Sequence, residues 1–291
     1  MPAQPISRFF TSHRLRLHYI DWGNADAPRL LLIHGGRDHA RSWDWVARDL
    51  ARDWHVIAPD LRGHGDSAWA PLGGYDMADF VYDLSELVTL LGGGPLALVG
   101  HSLGGNIALR YAGTYPQNIR KLVLIEGLGA SPSQTAKNDA IGMAESMRNW
   151  IDQRRRLLRR EPRRYATIEA ATARMQAANG HLTPEQARHL TRHGVRAAED
   201  GSLSFKFDPA LSGMAPTDFT TAQKQALWGE VSCPTLLVYG EDSWASNPAQ
   251  DGRAAHFQNA RVQRFHRAGH WVHHDRLDAF IEALRGFLAE P

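Results

Sequence analysis

The stretch LALVGHSLGGNIALRY at residues 96–111 decides the fold. Its first four residues are a short apolar run that predicts a buried strand, and the apolar residues from 107 onward belong to a predicted helix. Between them lies G-x-S-x-G at 100–104, whose glycines allow the chain to turn sharply from strand to helix. The turn exposes the Ser102 hydroxyl at the N-terminus of the helix, where negative charge is stabilised. Ser102 is therefore the candidate nucleophile.

Strands and helices alternate on both sides of this stretch. The predicted strands are short apolar or alternating runs at 15–22, 30–34, 55–58, 96–99, 121–125, 235–239 and 261–265. Helical periodicity separates them, and one helix stops at the glycines 92–94. This alternation predicts crossover connections and a parallel sheet that is buried on both faces.

The alternation breaks between 131 and 225, where the pattern is mostly helical and contains no convincing buried strand. We predict that this segment is a helical cap inserted into the sheet domain. The predicted organisation is a first part of the α/β core at 1–130, the cap at 131–225 and a second part of the core at 226–291. A chain of 291 residues is long enough for one large core with such an insertion.

Composition and charge argue against several classes of protein. The net charge is only +2, and the seven arginines between 154 and 164 have neither stacking aromatics nor a nucleic-acid motif beside them, so they predict a solvated helix face and no nucleic-acid partner. No run approaches the roughly 20 apolar residues that span a bilayer, and residues 1–10 lack the pattern of a secretory signal, so no membrane partner is predicted. Cys233 is the only cysteine, which excludes an internal disulfide and favours a cytoplasmic location.

Four motifs resemble, in the same order, those of the α/β-hydrolase family. They are His34-Gly35-Gly36 followed by Trp43, the sequence DLRGHGDS at 60–67, the G-x-S-x-G at 100–104, and Gly269-His270 before the last predicted helix. The resemblance covers about residues 8–288 and is weakest in the cap. It implies an α/β-hydrolase fold, with a mostly parallel eight-stranded sheet, helices on both faces and an inserted helical cap.

The family's catalytic machinery carries over to the matching residues. Ser102 matches the nucleophile, and His270, in the loop between the last strand and the last helix, matches the general base. The backbone N–H groups of Gly36 and Leu103 match the oxyanion hole, whose donors stabilise the charge of a tetrahedral intermediate. The resemblance therefore implies a serine hydrolase that acts through an acyl-serine intermediate.

The acid of the triad has two candidates. Many relatives place an aspartate three residues after the glycine that ends the strand at 235–239, but that position is Ser243 here and Asp242 comes one residue early. Part of the family instead places the acid at the end of the strand that follows the nucleophile helix, where this chain has Glu126. Either carboxylate could orient the imidazole and stabilise its charged form. We favour Glu126 and retain Asp242 as the alternative.

The predicted reaction is hydrolysis of a carboxylic ester or a related small-molecule acyl compound. No cofactor or metal is expected to take part. Position 102 is Ser, which excludes the dehalogenases and epoxide hydrolases of this fold because they need an Asp nucleophile. Thioesterase, lactonase and carbon–carbon bond hydrolase remain alternatives, since all three can use the same triad. The alternative from a different class is a non-catalytic binding protein on the hydrolase scaffold.

Candidate substrate-binding residues are assigned from their positions alone. They are Arg37, His101, Trp43, Met147 and Trp150. Arg37 either faces solvent or binds a negative charge of the substrate. Met147 and Trp150 either line the pocket or seat the cap on the main domain.

Two adjacent histidines, His273 and His274, follow the predicted base. No carboxylate or cysteine with ligand spacing accompanies them, so the sequence predicts no metal site there. We expect both to be surface residues at the start of a helix.

Overall fold

The computed structural model describes residues 4–70, 74–212, 215–216 and 218–291. Within them, eight strands form one sheet and two more form a small antiparallel pair. The strands are β1 (Ile6–Ser12), β2 (Leu15–Asp21), β3 (Arg29–Ile33), β4 (His55–Pro59), β5 (Leu96–His101), β6 (Ile119–Ile125), β7 (Val195–Ala197), β8 (Leu203–Phe205), β9 (Thr235–Gly240) and β10 (Ala260–Phe265). The order in the large sheet is β1-β2-β4-β3-β5-β6-β9-β10, and only β2 runs against the others. The predicted eight-stranded, mostly parallel sheet is confirmed.

Helices cover both faces of this sheet. The helices of the described residues are α1 (Asp44–Leu50), α2 (Met77–Leu90), α3 (Leu103–Thr114), α4 (Pro132–Asp139), α5 (Met143–Leu158), α6 (Ile168–Ala178), α7 (Pro184–Gly194), α8 (Thr221–Gly229), α9 (Val272–Asp275) and α10 (Leu277–Ala289). α1 and α10 pack on one face, and α2, α3 and α8 pack on the other. Among the described residues, no helix has the length and apolar character needed to cross a membrane.

The central strands carry continuous apolar runs because both of their faces are buried. In β3, Leu31 and Ile33 belong to the core under α2 and α3, whereas Leu30 and Leu32 belong to the core under α1 and α10. Alternate residues of a strand point to opposite faces, so a strand between two helical layers needs apolar residues throughout. The continuous apolar runs that predicted the strands have this origin.

Strand β1 was not predicted by the sequence patterns. Its residues, ISRFFTS, are mostly exposed, and it lies at the edge of the sheet beside β2 alone. Neither an apolar run nor a clean alternation is needed there, because backbone pairing with β2 forms the strand. An edge strand of this kind gives little sequence signal.

Between β6 and β9 the chain leaves the large sheet. The predicted cap, 131–225, contains α4 to α7 and also the short pair β7 and β8, which lies outside that sheet. The predicted boundary at 225 falls inside α8. Trp228 of α8 is buried in the main core, so this helix packs with the sheet domain.

Candidate active site

A single residue, Ser102, joins β5 to α3. Its backbone angles are φ 51° and ψ −114°, which a non-glycine residue rarely adopts. A Cβ on Gly100 would lie 2.5 Å from the carbonyl oxygen of Gly104, and one on Gly104 would lie 2.4 Å from that of Ile33, so the turn requires both glycines. The N–H of Ser102 donates to the carbonyl of Ile125 at 2.8 Å. The strained turn thus holds Ser102 at the carboxyl edge of the sheet.

The loop after β3 packs against this turn. A Cβ on Gly35 would lie 2.6 Å from Nδ1 of His101 and 3.3 Å from Cβ of Ser102, so the backbone approaches closely. A Cβ on Gly36 would lie 3.9 Å from the side chain of Leu103. The N–H of Leu103, at the first position of α3, has no partner within the helix. The two predicted oxyanion donors therefore belong to backbone segments that meet beside Ser102.

Glu126 follows β6 and accepts three hydrogen bonds through a fully buried carboxylate. Nδ1 of His270 lies 2.5 Å from its Oε2, and the hydroxyl of Ser243 donates to the same oxygen at 2.6 Å. The backbone N–H of Gly240 donates to Oε1 at 3.0 Å. A carboxylate held in this way fixes the orientation of the imidazole and stabilises its charged form.

The alternative acid, Asp242, is an exposed residue of the turn after β9. Its backbone N–H donates to the carbonyl of Ala268 at 2.8 Å. Glu126, and not Asp242, is the carboxylate within hydrogen-bond distance of the His270 ring. Ser243, where many relatives carry aspartate, donates its hydroxyl to Glu126 instead.

His101 lies beneath His270. Its ring centroid is 4.7 Å from that of His270, and its Nε2 is 2.9 Å from the carbonyl oxygen of His270. Burial is the main cause that holds the pKa of His101 well below its usual value, and the neighbouring His270 lowers it further. His101 is 1% exposed, so it supports the loop that carries the base. This corrects its assignment as a substrate contact.

Burial corrects three further predictions. Trp43 is fully buried and stacks on the ring of His273 at 4.5 Å, so it is a core residue and not a substrate contact. His273 and His274, expected at the surface, are 0% and 3% exposed. Their helix α9 is one turn long and is covered by α7, where Gln186 donates to the carbonyl of His274 at 2.9 Å. The sequence alone could not show that α7 packs over these two histidines.

The remaining predicted substrate contacts lie at or near the surface of the protein. Arg37 is exposed, with φ 63°, directly after Gly36. Met147 and Trp150 are half-buried on α5. Trp244, which was not among the predicted residues, is 76% exposed and has its ring centroid 4.8 Å from that of His270. Its position in the turn where many relatives carry the acid of the triad could have indicated a place in the site.

Buried histidines near the site make stability sensitive to acid. Burial lowers the pKa of His34 and His274 to about 3 and that of His64 to about 4. In the unfolded chain the histidine pKa is about 6.5, so between these values the unfolded state binds more protons and stability falls as the pH falls. His34 shows the reason, because its Nε2 accepts the N–H of Leu61 at 3.0 Å and a protonated ring cannot accept. We expect a loss of about 1.4 kcal/mol per pH unit for each histidine.

Urea unfolding from about pH 7.5 to about pH 4.5 measures this loss. Asp38 and Asp275 oppose it, because burial raises the pKa of both carboxyls, but these two carboxyls stand against six histidines of the described residues whose pKa is lowered. His274→Gln should make the pH dependence shallower by one proton. A free energy of unfolding that stays constant over this range would contradict the prediction.

Comparisons with known proteins define the class to which this fold and site belong. The family model of the alpha/beta hydrolase fold matches residues 28–277, and the chain belongs to the α/β-hydrolase family. Its relatives support a hydrolase activity.

Several curated relatives match most of the chain. The esterase Rv0045c of Mycobacterium tuberculosis is 29% identical over 92% of this chain and 84% of its own length. The sn-1-specific diacylglycerol lipase ABHD11 of Mus musculus is 25% identical over 92% of this chain and 83% of its own length. Among solved structures, the thioesterase domain from the curacin biosynthetic pathway has a TM-score of 0.83 at 24% identity and covers 97% of this chain and 99% of that one. That last likeness supports the fold alone.

Proposed function

We propose that the protein is a serine hydrolase that cleaves a carboxylic ester or a related acyl compound of small size through an acyl-serine intermediate. The observation that carries the proposal is the 2.5 Å contact between Nδ1 of His270 and the buried carboxylate of Glu126, at the sheet edge where Ser102 emerges. The relatives add support, since an esterase and a diacylglycerol lipase both act on esters.

The proposed reaction proceeds in two halves. Oγ of Ser102 attacks the acyl carbon while Nε2 of His270 takes its proton, and Glu126 stays ionised and stabilises the imidazolium. The oxyanion forms where the N–H groups of Gly36 and Leu103 can donate to it. His270 then gives the proton to the leaving alcohol. Water attacks the acyl-serine in the same way, which releases the carboxylic acid and restores Ser102.

A panel of p-nitrophenyl esters of increasing acyl length, run beside a thioester and a lactone, tests the proposal. We expect turnover of the esters without an added cofactor, with a higher kcat/KM than for the other two compounds. A preference for the thioester or the lactone would assign the protein to one of those classes instead. Saturable binding of the esters without turnover would favour the non-catalytic binding protein.

Trp244 is expected to contribute to substrate binding beside the base. Its ring contacts His270 and is mostly exposed, so Trp244→Ala should reduce kcat/KM for the esters by about 2- to 10-fold, the range of one aromatic contact. The melting temperature should change little because little of the side chain is buried. Trp244→Phe, which keeps a ring, is the matched control. Equal kcat/KM in the wild type and the alanine variant would remove Trp244 from the site.

A further inference from the structure

Three buried side chains converge behind the proposed catalytic histidine. Asp38 lies in the loop after β3, and His273 and His274 lie on α9. They are 5%, 0% and 3% exposed, and one ligand atom of each lies within 4.8 Å of those of the other two. Residues more than 230 positions apart thus form one compact group of two imidazoles and a carboxylate.

The polar atoms of this group have no hydrogen-bond partner among the described residues. These atoms are Oδ2 of Asp38 and both ring nitrogens of His273 and His274. Buried polar atoms are nearly always paired, so five unpaired atoms in one group require an explanation. The group therefore presents buried nitrogen and oxygen atoms, each able to bind a metal ion, that no described residue satisfies.

Two other groups of histidine and aspartate among the described residues differ in this respect. The group of Asp44, His189 and His193 already holds a cation, because Nε of Arg41 donates to the two oxygens of Asp44 at 2.8 and 2.7 Å. In the group at Asp60, both carboxylate oxygens accept hydrogen bonds from neighbouring N–H groups or an imidazole. Those two groups are satisfied by the protein itself.

We propose that Asp38, His273 and His274 bind a divalent first-row transition-metal ion, of which Zn²⁺ is the probe. Two neutral imidazoles and one carboxylate are a donor set that Zn²⁺ accepts in proteins, with a water molecule as the fourth ligand. The ion occupies the space between the unpaired atoms and satisfies one atom of each side chain.

The position of the group indicates what the ion does. Asp38 lies two residues after Gly36, and His273 lies three residues after His270, so the ion fastens the oxyanion loop to the histidine loop. Helix α7 covers the group, since Gln186 bonds the carbonyl of His274 and the ring of His39 bonds the carbonyl of Leu190. Binding therefore requires α7 to move, and the bound ion stabilises the folded state.

Calorimetric titration of the chelator-treated full chain with ZnCl₂, after long incubation, tests the site. We expect one ion per chain, a rise in Tm with Zn²⁺, and the strong visible absorption of tetrahedral cobalt when Co²⁺ replaces it. Asp38→Asn and His273→Phe, the second of which keeps the ring stacked on Trp43, should each weaken binding by more than about 10-fold. His193→Gln, in the group already filled by Arg41, is the matched control and should bind as the wild type does.

Three results would refute the site. The first is a folded wild-type chain that does not bind Zn²⁺, the second is binding by the Asp38 and His273 variants as tight as that of the wild type, and the third is loss of binding in His193→Gln. If the variants fail to fold, anomalous diffraction from wild-type crystals grown with Zn²⁺ decides the question. A peak among Asp38, His273 and His274 supports the proposal, and a peak only elsewhere refutes it. The outcome is independent of the proposed hydrolase activity, because binding and Tm are read without turnover.

Discussion

Ser102→Ala is expected to lower kcat for ester hydrolysis by about 10⁵- to 10⁶-fold, the scale of losing the nucleophile of a serine triad. The remaining groups can still bind substrate and polarise its carbonyl, but no acyl-enzyme can form. The fold should be unchanged, because Ser102 adopts its backbone angles through the glycines around it and its side chain is only partly buried.

Labelling with a phosphonate or sulfonyl fluoride probe, followed by mass spectrometry, checks the assignment directly. The probe should add once, at Ser102, and should fail to label Ser102→Ala. Ser133→Ala, which removes an exposed serine of α4, is the matched control and should label and react as the wild type does. Labelling at another residue, or full activity in Ser102→Ala, would refute the serine-hydrolase mechanism.

Glu126→Gln is expected to lower kcat by about 10³- to 10⁴-fold, the effect of neutralising the carboxylate partner of a catalytic histidine. The amide keeps the size of the side chain but loses the charge that stabilises the imidazolium of His270. It also offers an N–H₂ group where Nδ1 needs an acceptor, which favours the wrong tautomer. Because the Glu126 carboxylate is fully buried, solvent cannot substitute for the lost charge.

Asp242→Asn is the matched control for this variant. Asp242 is also an acid after a strand of the same sheet, but it is exposed and the His270 ring bonds Glu126. Its loss should therefore cost much less than the loss of Glu126. The rates of both variants under saturating ester give the comparison, and the reverse order would assign the role of the acid to Asp242.

Local patterns predicted the parts of this protein that local sterics determine. The apolar run, the glycine-rich turn and the helix at 96–111 appear in the structure as β5, Ser102 and α3. The exposed edge strand β1 escaped prediction because pairing with β2, and not its own pattern, forms it. Trp43 and His101 were misassigned for a related reason, since a pattern along the chain does not show what covers a side chain.

The sequence by itself determined the α/β core and the serine at its turn, because strand periodicity and glycine conformation act over a few residues. Only the tertiary structure decided which carboxylate meets His270, since Glu126 lies 144 residues away from it along the chain. The register that pairs Ile125 with Val238 brings Gly240 and Ser243 to the carboxylate of Glu126. The burial of His273 and His274 beside Asp38 was likewise decided by the packing of distant segments, because burial depends on what the rest of the chain places over a residue.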